Sequence, residues 1–413
     1  MIKEQPLIFT VLFLILFIIF ACEQKTTEDM QQTDIQLREK AEELAQKFII
    51  VDGHIDLPYR LQSNPEDIST RTERGHFDYP RSKKGGLDAA FIAIYTPAFY
   101  EQSNNGKKYA DNLIDMVNSI IQKHPDKFAN ANSVEDIKKN FVNGIISFPM
   151  GMENGTPIEG DLGNLRYFYD KGIRYITLVH SKSNHICDSS FDEEKKWNGL
   201  SPFGIEVVKE MNRLGIMIDV SHVSDSTFYD VIHISKAPLI ASHSSCRKFT
   251  PHWERNMSDE MIKTLAYHGG AIMINFGSSF LDEIVRQKSE KEWVHVSDLL
   301  KEKNLTFGSP DAHKLMDEYF SRHHPGKVPL SKVADHIDHV VKLVGVDHVG
   351  FGSDFDGVYF VPNGLEDVSK YPNLIAELLK RGYTEEEIEK ICSGNLLRVW
   401  KEVEEHSKSS LSQ

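Results

Sequence analysis

Histidines and carboxylates recur where the short apolar segments of this chain end. Seven of them are His54, Asp56, Glu153, His180, His222, His243 and Asp354. Any one alone would most simply be a polar group satisfied at the end of a strand. Seven together are harder to explain in that way, because burying polar groups without partners is costly. Imidazole with carboxylate, and no cysteine, suits zinc, manganese or iron better than magnesium or calcium. The pattern predicts a metal centre.

The spacing of the first two residues has a geometric meaning. Alternate residues of an extended chain point to the same side, so His54 and Asp56 can reach one metal ion. Pairs of ions about 3.5 Å apart are common in hydrolases, where they hold the attacking and leaving oxygens. A carboxylate that bridges both ions would hold such a pair together, and Glu153 is the best-placed candidate.

The elements that must position these residues are short apolar segments that alternate with longer amphipathic ones. The apolar segments are 48–52, 89–95, 144–148, 174–179, 215–220, 238–241, 270–275 and 348–351. Helical periodicity is clearest over residues 110–124, 204–214 and 330–344. Alternating strands and helices indicate a parallel sheet. Eight strands without a dinucleotide-binding fingerprint favour an α/β fold of the closed (β/α)8 TIM-barrel type. Six of the eight segments run into one of the seven residues, at the strand ends where such barrels carry their active sites.

The remaining parts of the chain receive structural interpretations. Residues 281–330 are charged and interrupted by Gly and Pro, and we interpret them as an insertion between strands seven and eight. Residues 371–405 should form helices that close or flank the barrel. His323 and His324 are expected to be solvated, and His336 and His339 to have surface or capping roles on one helix face. Asp356 is expected to support the site from beside it.

Several motifs together resemble the membrane dipeptidase family (renal dipeptidase, peptidase family M19). The resemblance covers residues 45–405. The segments that carry it include VDGHID at 51–56, GGLDAAF at 85–91, DVSH at 219–222, SHSS at 242–245 and VGFGSDFDG at 349–357. Further matches are at 172–180, 211–215 and 364–372. One departure is Asn154-Gly155, where the family often places glycine directly after the glutamate. This departure bears on the course of a loop and not on a ligand.

The resemblance implies a single (β/α)8-barrel dipeptidase domain over residues 37–413 that binds two Zn²⁺ ions. His54, Asp56 and Glu153 would hold one ion, and Glu153, His222 and His243 the other. His180 would contact the carbonyl oxygen of the substrate, and Arg255 its carboxylate. Asp354 would handle the substrate amine and the proton of the leaving group. Hydroxide that bridges the metals would attack the peptide bond. Proteins of this family often form homodimers.

The predicted function is hydrolysis of dipeptides, including those with a C-terminal D-residue. One alternative is an amidohydrolase-type deaminase or lactonase on the same barrel. Those enzymes usually carry His-x-His after strand one, whereas this chain has His54 and Asp56. A second alternative is a catalytically silent surface lipoprotein that binds peptides. Arg255 has its own structural interpretation as a solvated residue near a helix start, since Asn256 and Ser258 resemble capping residues.

The N-terminus predicts attachment to a membrane. Residues 1–21 resemble a lipoprotein signal peptide, Cys22 would be lipidated, and residues 22–36 would form a flexible tether. The expected location is the bacterial cell envelope, with the enzyme anchored by its lipid and facing outside the cytoplasm. The net charge of -14 argues against nucleic acid as a partner. The three other cysteines, an odd number without a CxxC pair, argue against a disulfide framework.

Overall fold

The computed structural model describes residue 32 and residues 34–410. The predicted signal peptide at 1–21, Cys22 and most of the predicted tether at 22–36 lie outside the described residues. Residues 34–47, which we name α1, are helical. Across the part of the chain that is described, no helix has the length and apolar character needed to cross a membrane.

Eight parallel strands close into a barrel, which confirms the predicted fold. The strands of the molecule are β1 Ile50–Ile55, β2 Leu87–Tyr95, β3 Phe128–Asn130, β4 Ile146–Phe148, β5 Met150–Glu153, β6 Ile173–Thr177, β7 Met217–Asp219, β8 Ile240–Ser244, β9 Ala271–Ile274 and β10 Val349–Phe351. The barrel order is β1-β2-β5-β6-β7-β8-β9-β10, and β10 pairs with β1 to complete the ring. Each of these strands is buried along its whole length, as expected for a sheet covered on both faces.

The third barrel strand lies further along the chain than the predicted apolar segment. Residues 144–148 overlap β4, which pairs with β2 and with the short strand β3 that the sequence did not indicate. The barrel strand itself is β5, which begins after Pro149. Proline has no N–H to donate to a neighbouring strand, so the ladder is interrupted at this residue. Pro149 still accepts a hydrogen bond from the backbone N–H of Ile92 at 2.8 Å, and β5 continues beside β2.

Helices surround the barrel and cover the gaps between the strands. They are α2 Leu57–Ser63, α3 Tyr79–Gly85, α4 Gly106–Lys123, α5 Val134–Val142, α6 Gly163–Asp170, α7 Pro202–Leu214, α8 Asp225–Ile234, α9 Asp259–Tyr267, α10 Ser278–Leu281, α11 Glu283–Glu302, α12 Pro310–Phe320, α13 Ser331–Val344, α14 Tyr371–Lys380, α15 Glu385–Glu389 and α16 Asn395–Ser410. Helices α4, α7 and α13 match the three predicted periodic segments. The predicted insertion is helical, since it contains α11 and α12.

The C-terminal helix packs against one part of the barrel core. Trp400 of α16 is fully buried, and its ring lies 5.3 Å from that of Phe91 on β2. The same cluster of buried residues contains Tyr175 of β6 and Met273 of β9. Burying an indole of this size removes a large apolar area from water. This packing of α16 agrees with the expectation that the last helices close or flank the barrel.

Two histidines of α13 do not have the surface roles that we expected. His336 is fully buried: its Nδ1 accepts the backbone N–H of Cys246 at 3.0 Å, and its Nε2 donates to the carbonyl of Leu281 at 3.2 Å. Burial lowers the pKa of His336 to about 3, so the ring is neutral. His339 is largely buried and pairs with Asp259 at 2.8 Å. The surface expectation was wrong because α13 turns this face toward the segments after β8 and β9, where Cys246, Asp259 of α9 and Leu281 of α10 supply the hydrogen-bond partners.

Candidate metal centre

The seven predicted residues meet at the C-terminal rim of the barrel. His54, Glu153 and His243 lie within the last residues of β1, β5 and β8. The others follow strand ends by a few residues: Asp56 after β1, His180 after β6, His222 after β7 and Asp354 after β10. All of them are buried except His180, whose side chain is 18% exposed. One rim gathers all seven because every strand runs in the same direction.

Backbone conformation helps to aim two of these side chains. His222 has φ 69° and Asp354 has φ 61°, values in the left-handed region that residues other than glycine seldom adopt. Asn154, which follows Glu153, has φ 75°. The side chain of Asn154 donates to the carbonyl of Thr96 at 2.8 Å. This hydrogen bond fixes the course of the loop where the chain departs from the family pattern. Such strained positions concentrate at functional sites, because the surrounding structure must hold them in place.

Two groups of ligand atoms share Glu153. In the first group, the Nε2 of His54 lies 3.3 Å from the Oδ2 of Asp56 and 3.6 Å from the Oε2 of Glu153. In the second group, the Oε1 of Glu153 lies 3.1 Å from the Nε2 of His222 and 3.3 Å from the Nε2 of His243. The two histidine nitrogens are 2.8 Å apart. The two oxygens of one carboxylate therefore face different groups, as a bridging ligand requires.

Three of these separations, at 3.3–3.6 Å, fit ligands of a metal ion, whereas the two that involve the Nε2 of His222, at 2.8 and 3.1 Å, are hydrogen-bond distances. Ligands at about 2.0–2.2 Å from a tetrahedral zinc ion stand roughly 3.3–3.6 Å from one another. Within the described residues, the buried Nε2 of His54 has no hydrogen-bond partner. An unpaired buried nitrogen beside two carboxylates is costly unless a cation completes the site. The donor set of imidazoles and carboxylates thus fits the metal centre that the sequence predicted.

The electrostatics of the site favour neutral histidines around one charged carboxylate. Burial lowers the pKa of His222 and His243 well below the usual range, and Arg255 adds to this effect. Burial opposes ionisation of Glu153, but the histidines, led by His180, hold its pKa well below the usual range. Neutral imidazole and ionised carboxylate are the forms that bind metals.

His54 behaves differently from the other histidines. Burial disfavours its charge, but Tyr175, Asp56 and Glu153 together raise its pKa well above the usual range. The carboxylates of the first group therefore stabilise a positive charge, either a proton or a metal ion, at the Nε2 atom of His54.

Partners behind the ligands fix the orientation of two rings, and the sequence did not indicate them. The Nδ1 of His54 lies 2.7 Å from the hydroxyl of Tyr175. The Nδ1 of His243 lies 2.7 Å from the hydroxyl of Ser242, which donates in turn to Asp219 at 2.6 Å. With their Nδ1 hydrogens engaged in this way, both rings leave Nε2 free for the site. In the sequence, Ser242 directly precedes a ligand, and only that adjacency could have suggested it.

The predicted substrate-binding residues are near the same atoms. The Nε2 of His180 lies 3.6 Å from the Oε1 of Glu153. Asp354 accepts a hydrogen bond from the side chain of Asn275 at 2.7 Å, and burial beside Asp56 raises its pKa well above the usual range. Ligand atoms of His180 fall within 4.8 Å of those of Glu153 and His222, and those of Asp354 within the same distance of His54 and His243. Both residues are therefore also candidates to contact a metal ion.

Arg255 reaches the second group but is almost completely buried. Its guanidinium donates to the hydroxyl of Ser244 at 2.9 Å and to the carbonyl of His243 at 2.8 Å. It also lies 3.2 Å from the Nε2 of His222. The lone pair on the Nε2 of His222 can either accept a hydrogen bond from the guanidinium or bind a metal ion, but not both. The alternative of a solvated residue near a helix start is wrong for Arg255, because the side chain points into the barrel rim and is 2% exposed.

A cavity of about 960 Å³ opens above the centre. Five of the predicted site residues line it, namely Asp56, Glu153, His180, His222 and Asp354. Its other walls come from the loops after the strands and from α11 and α12. A solute that enters this cavity therefore meets Glu153 and the four other site residues that line it.

Comparisons with known proteins agree with this geometry. Residues 38–413 match the family model described as membrane dipeptidase (peptidase family M19). The chain belongs to the membrane dipeptidase family. It is therefore a metallopeptidase and a hydrolase of dipeptidase type, which confirms the resemblance found in the sequence.

Relatives from three organisms illustrate membership of the membrane dipeptidase family. The dipeptidase verJ of Clonostachys rogersoniana is 35% identical over 382 residues, which cover 89% of this chain and 87% of the relative. The probable dipeptidase PvdM of Pseudomonas aeruginosa is 27% identical, with a TM-score of 0.77 over 90% of this chain and 99% of that chain. A metallopeptidase from Rhodobacter sphaeroides, liganded with a phosphinate mimic of the dipeptide L-Ala-D-Ala, is 27% identical, with a TM-score of 0.70 over 86% and 99% of the two chains.

Proposed function

We propose that this membrane dipeptidase is a two-zinc enzyme that hydrolyses the peptide bond of dipeptides. His54, Asp56 and Glu153 would hold one ion, and Glu153, His222 and His243 the other. The observation that carries the proposal is the shared carboxylate: its two oxygens face two separate groups of histidine and carboxylate atoms at 3.1–3.6 Å. When bound, two such ions supply Lewis-acid chemistry that polarises a carbonyl and makes water a nucleophile at neutral pH.

His180 is placed to bind the carbonyl oxygen of the substrate. It is the most exposed of the seven residues and lines the cavity. Burial lowers the pKa of His180 to about 4, so the ring is neutral and carries one N–H. Such a donor stabilises the negative charge that develops on the carbonyl oxygen during acyl transfer. Asp354 would accept the substrate amine and pass a proton to the departing nitrogen.

Arg255 and Asp354 together would measure the length of the substrate. A dipeptide carries a free amine and a free carboxylate on adjacent residues, and a site that binds both charges excludes longer peptides. Among the described residues, the Nε of Arg255 has no hydrogen-bond partner. If the Nε2 of His222 binds a metal ion, the edge of the Arg255 guanidinium that now faces this nitrogen becomes free to bind the substrate carboxylate. The planar guanidinium suits a carboxylate in a way that the ammonium of lysine does not.

Metal content and dipeptide hydrolysis, measured on one preparation, test the central proposal. The wild type should hold two zinc ions per chain and hydrolyse simple dipeptides, and chelation should abolish the activity. Glu153→Gln removes an anionic ligand from both groups at once. Zinc content should then fall and turnover should drop at least about a thousandfold, while circular dichroism still shows a folded barrel. A Glu153→Gln variant with two zinc ions and near-normal turnover would contradict the bridging role.

The alternatives make different predictions in the same experiment. A deaminase or lactonase would bind metal but leave dipeptides intact, and a silent peptide-binding lipoprotein would bind dipeptides without turnover. Dipeptides with an amidated C-terminus test the role of Arg255 in selecting dipeptides. The wild type should cleave them at least about a hundredfold more slowly than free dipeptides. Arg255→Lys should cleave amidated dipeptides about as slowly as the wild type does. Equal hydrolysis of free and amidated dipeptides would refute the selection for dipeptide length but would not contradict the two-zinc proposal.

The chirality of the C-terminal residue is part of the proposal. The carboxylate and the carbonyl are held in the same positions for an L- or a D-residue, so both can be accepted. The relative that is liganded with a mimic of L-Ala-D-Ala supports this extension. Hydrolysis of L-Ala-D-Ala by the wild type tests it, with L-Ala-L-Ala as the reference substrate.

We further propose that Cys22 is lipidated and anchors the enzyme in the bacterial cell envelope, outside the cytoplasm. The support is the apolar run that ends at Ala21-Cys22, followed by a polar segment. Mass spectrometry of the mature N-terminus should find acyl groups on Cys22, and Cys22→Ala should release the enzyme from membranes. A free thiol at Cys22 would refute the anchor. A homodimer is also proposed, to be tested by light scattering on the purified enzyme.

A further inference from the structure

The cavity above the metal centre is larger than the backbone of a dipeptide requires. Its volume of about 960 Å³ is at the upper end of the roughly 300–1,000 Å³ of sites that hold drug-sized ligands. Part of the lining is the ring of site residues on the barrel rim. Much of the rest comes from the insertion between β9 and β10, which the sequence marked as unusual and which the proposed chemistry does not use.

The insertion has an apolar core of its own. Val296 and Leu300 of α11 pack with Met316 and Phe320 of α12 in a cluster separate from the barrel core. Among the members of this cluster and the rings packed on it, Trp293, Phe320 and Tyr359 line the cavity, and we name these three residues the aromatic wall. The ring of Phe320 lies 4.9 Å from that of Trp293 and 4.6 Å from that of Tyr359. Rings at these separations form a continuous apolar surface.

The aromatic wall stands on one side of the metal centre. Tyr359 follows Asp354 by five residues in the loop after β10. On α12, the ring of His313 meets the edge of Tyr59 at 4.7 Å, and Tyr59 follows Asp56 by three residues. The carboxylates of Asp56 and Asp354 are themselves neighbours, since a Cβ on Gly357 would lie 2.2 Å from one and 2.6 Å from the other.

The guanidinium of Arg255 lies on the side of the second group of ligand atoms, 3.2 Å from the Nε2 of His222. Its central carbon lies 5.1 Å from the ring of Phe280, which packs in turn on Trp253. In the proposed binding mode, the substrate carboxylate lies on this side and the amine lies beside Asp354. The amine and the side chain of an N-terminal residue share one Cα, so that side chain must project from the amine end.

We infer that the aromatic wall is a subsite for the side chain of the N-terminal residue, and that it selects dipeptides with an aromatic residue at that position. The inference rests on the proposed function. None of the three wall residues is charged, and their rings match an aromatic side chain best. Charged residues also line the cavity, among them Arg286 with its partner Glu290, and Asp317 next to Tyr359.

Paired dipeptides test the inference on the zinc-loaded wild type. Phe-Ala should be hydrolysed with kcat/KM at least about tenfold above that of Ala-Ala, because the benzyl group is buried against the wall. Ala-Phe probes the other end, where Phe280 and Trp253 line the cavity beside Arg255, so replacing a residue of the aromatic wall should not change its kcat/KM. If Ala-Ala is not hydrolysed at all, the proposed function fails. If Ala-Ala is hydrolysed and Phe-Ala is no better, only the inferred subsite fails.

Two wall variants and one control locate the preference. Trp293→Ala and Tyr359→Leu should each lower kcat/KM for Phe-Ala by roughly five- to tenfold and leave Ala-Ala within about twofold. Val294→Ala changes a neighbouring residue on the solvent-facing side of α11, where the side chain is 57% exposed, and should alter neither substrate. Thermal melting shows whether each variant stays folded. Equal losses on both substrates, or none in either wall variant, would overturn the inference.

Discussion

Replacing Tyr175 by phenylalanine should weaken metal binding without removing a ligand. Tyr175 is fully buried on β6, and its hydroxyl lies 2.7 Å from the Nδ1 of His54. For Nε2 to bind a metal ion, the hydrogen of the neutral ring must sit on Nδ1, where the tyrosine oxygen accepts it. In the variant, the metal-bound state leaves that N–H buried without an acceptor. Tyr175 is one of the groups that raise the pKa of His54, so without its hydroxyl the metal-free ring can lose the Nδ1 hydrogen and keep the one on Nε2, which faces Asp56 at 3.3 Å.

The size of the effect follows from this difference. A buried donor without a partner costs about 1–3 kcal/mol. Because the metal-free state largely escapes this cost, most of it should appear in the affinity for metal. At about 1.4 kcal/mol for each factor of ten, the dissociation constant of zinc should rise roughly 10–100-fold. Loss of a partner behind a metal ligand typically has an effect of this size.

Competition titration with a chromophoric chelator measures that constant directly. Turnover of Tyr175→Phe should recover to within a few-fold of the wild type when zinc is saturating, since every ligand remains. The matched control is Tyr383→Phe, which removes a hydroxyl that donates to Asp338 at 2.8 Å, away from the barrel rim. The control should lose some stability and keep its zinc affinity. An unchanged zinc dissociation constant in Tyr175→Phe would refute the reasoning.

Three other changes have defined outcomes. His180→Asn should lower kcat at least about a hundredfold while metal analysis still finds the wild-type zinc content; loss of zinc would make His180 a ligand instead. Gly151→Ala places a Cβ 2.0 Å from the ring of Tyr175, so denaturant titration should show a loss of about 1–3 kcal/mol in the free energy of unfolding, and a neutral result would contradict this packing. Burial raises the pKa of Asp88 to about 7, and the ordinary value in an unfolded chain is about 3.9. Between these two pH values the native state keeps the proton of Asp88 and the unfolded chain has lost it, so the contribution of Asp88 to stability falls as pH rises from about 4 to 7. Asp88→Asn should flatten this slope and add on the order of 1–2 kcal/mol to the unfolding free energy at pH 8; an unchanged slope would contradict the shift.

The sequence alone predicted the fold and the residues that gather at the candidate metal centre. Alternation of apolar and amphipathic segments predicted the barrel, because strands covered on both faces are apolar throughout. His54, Asp56, Glu153, His180, His222, His243 and Asp354 could be predicted as one cluster because each stands at or just after the end of such a segment. The division of the seven into metal ligands and substrate-binding residues came only from the resemblance to the family. In a parallel barrel, all those ends lie on one rim, so position along the strand is enough to predict proximity.

Only the tertiary structure decided what lies behind and above that rim. The partner of His54 is Tyr175, a residue 121 positions away that reaches it inside the barrel. Residues 281–330 have the composition of a charged loop, but they form helices whose apolar faces pack on each other and on Tyr359. The burial of Arg255 and His336 likewise depends on loops distant in sequence. Contacts of this kind depend on the register of adjacent strands and on the packing of separate elements, and neither leaves a periodic signal in the local sequence.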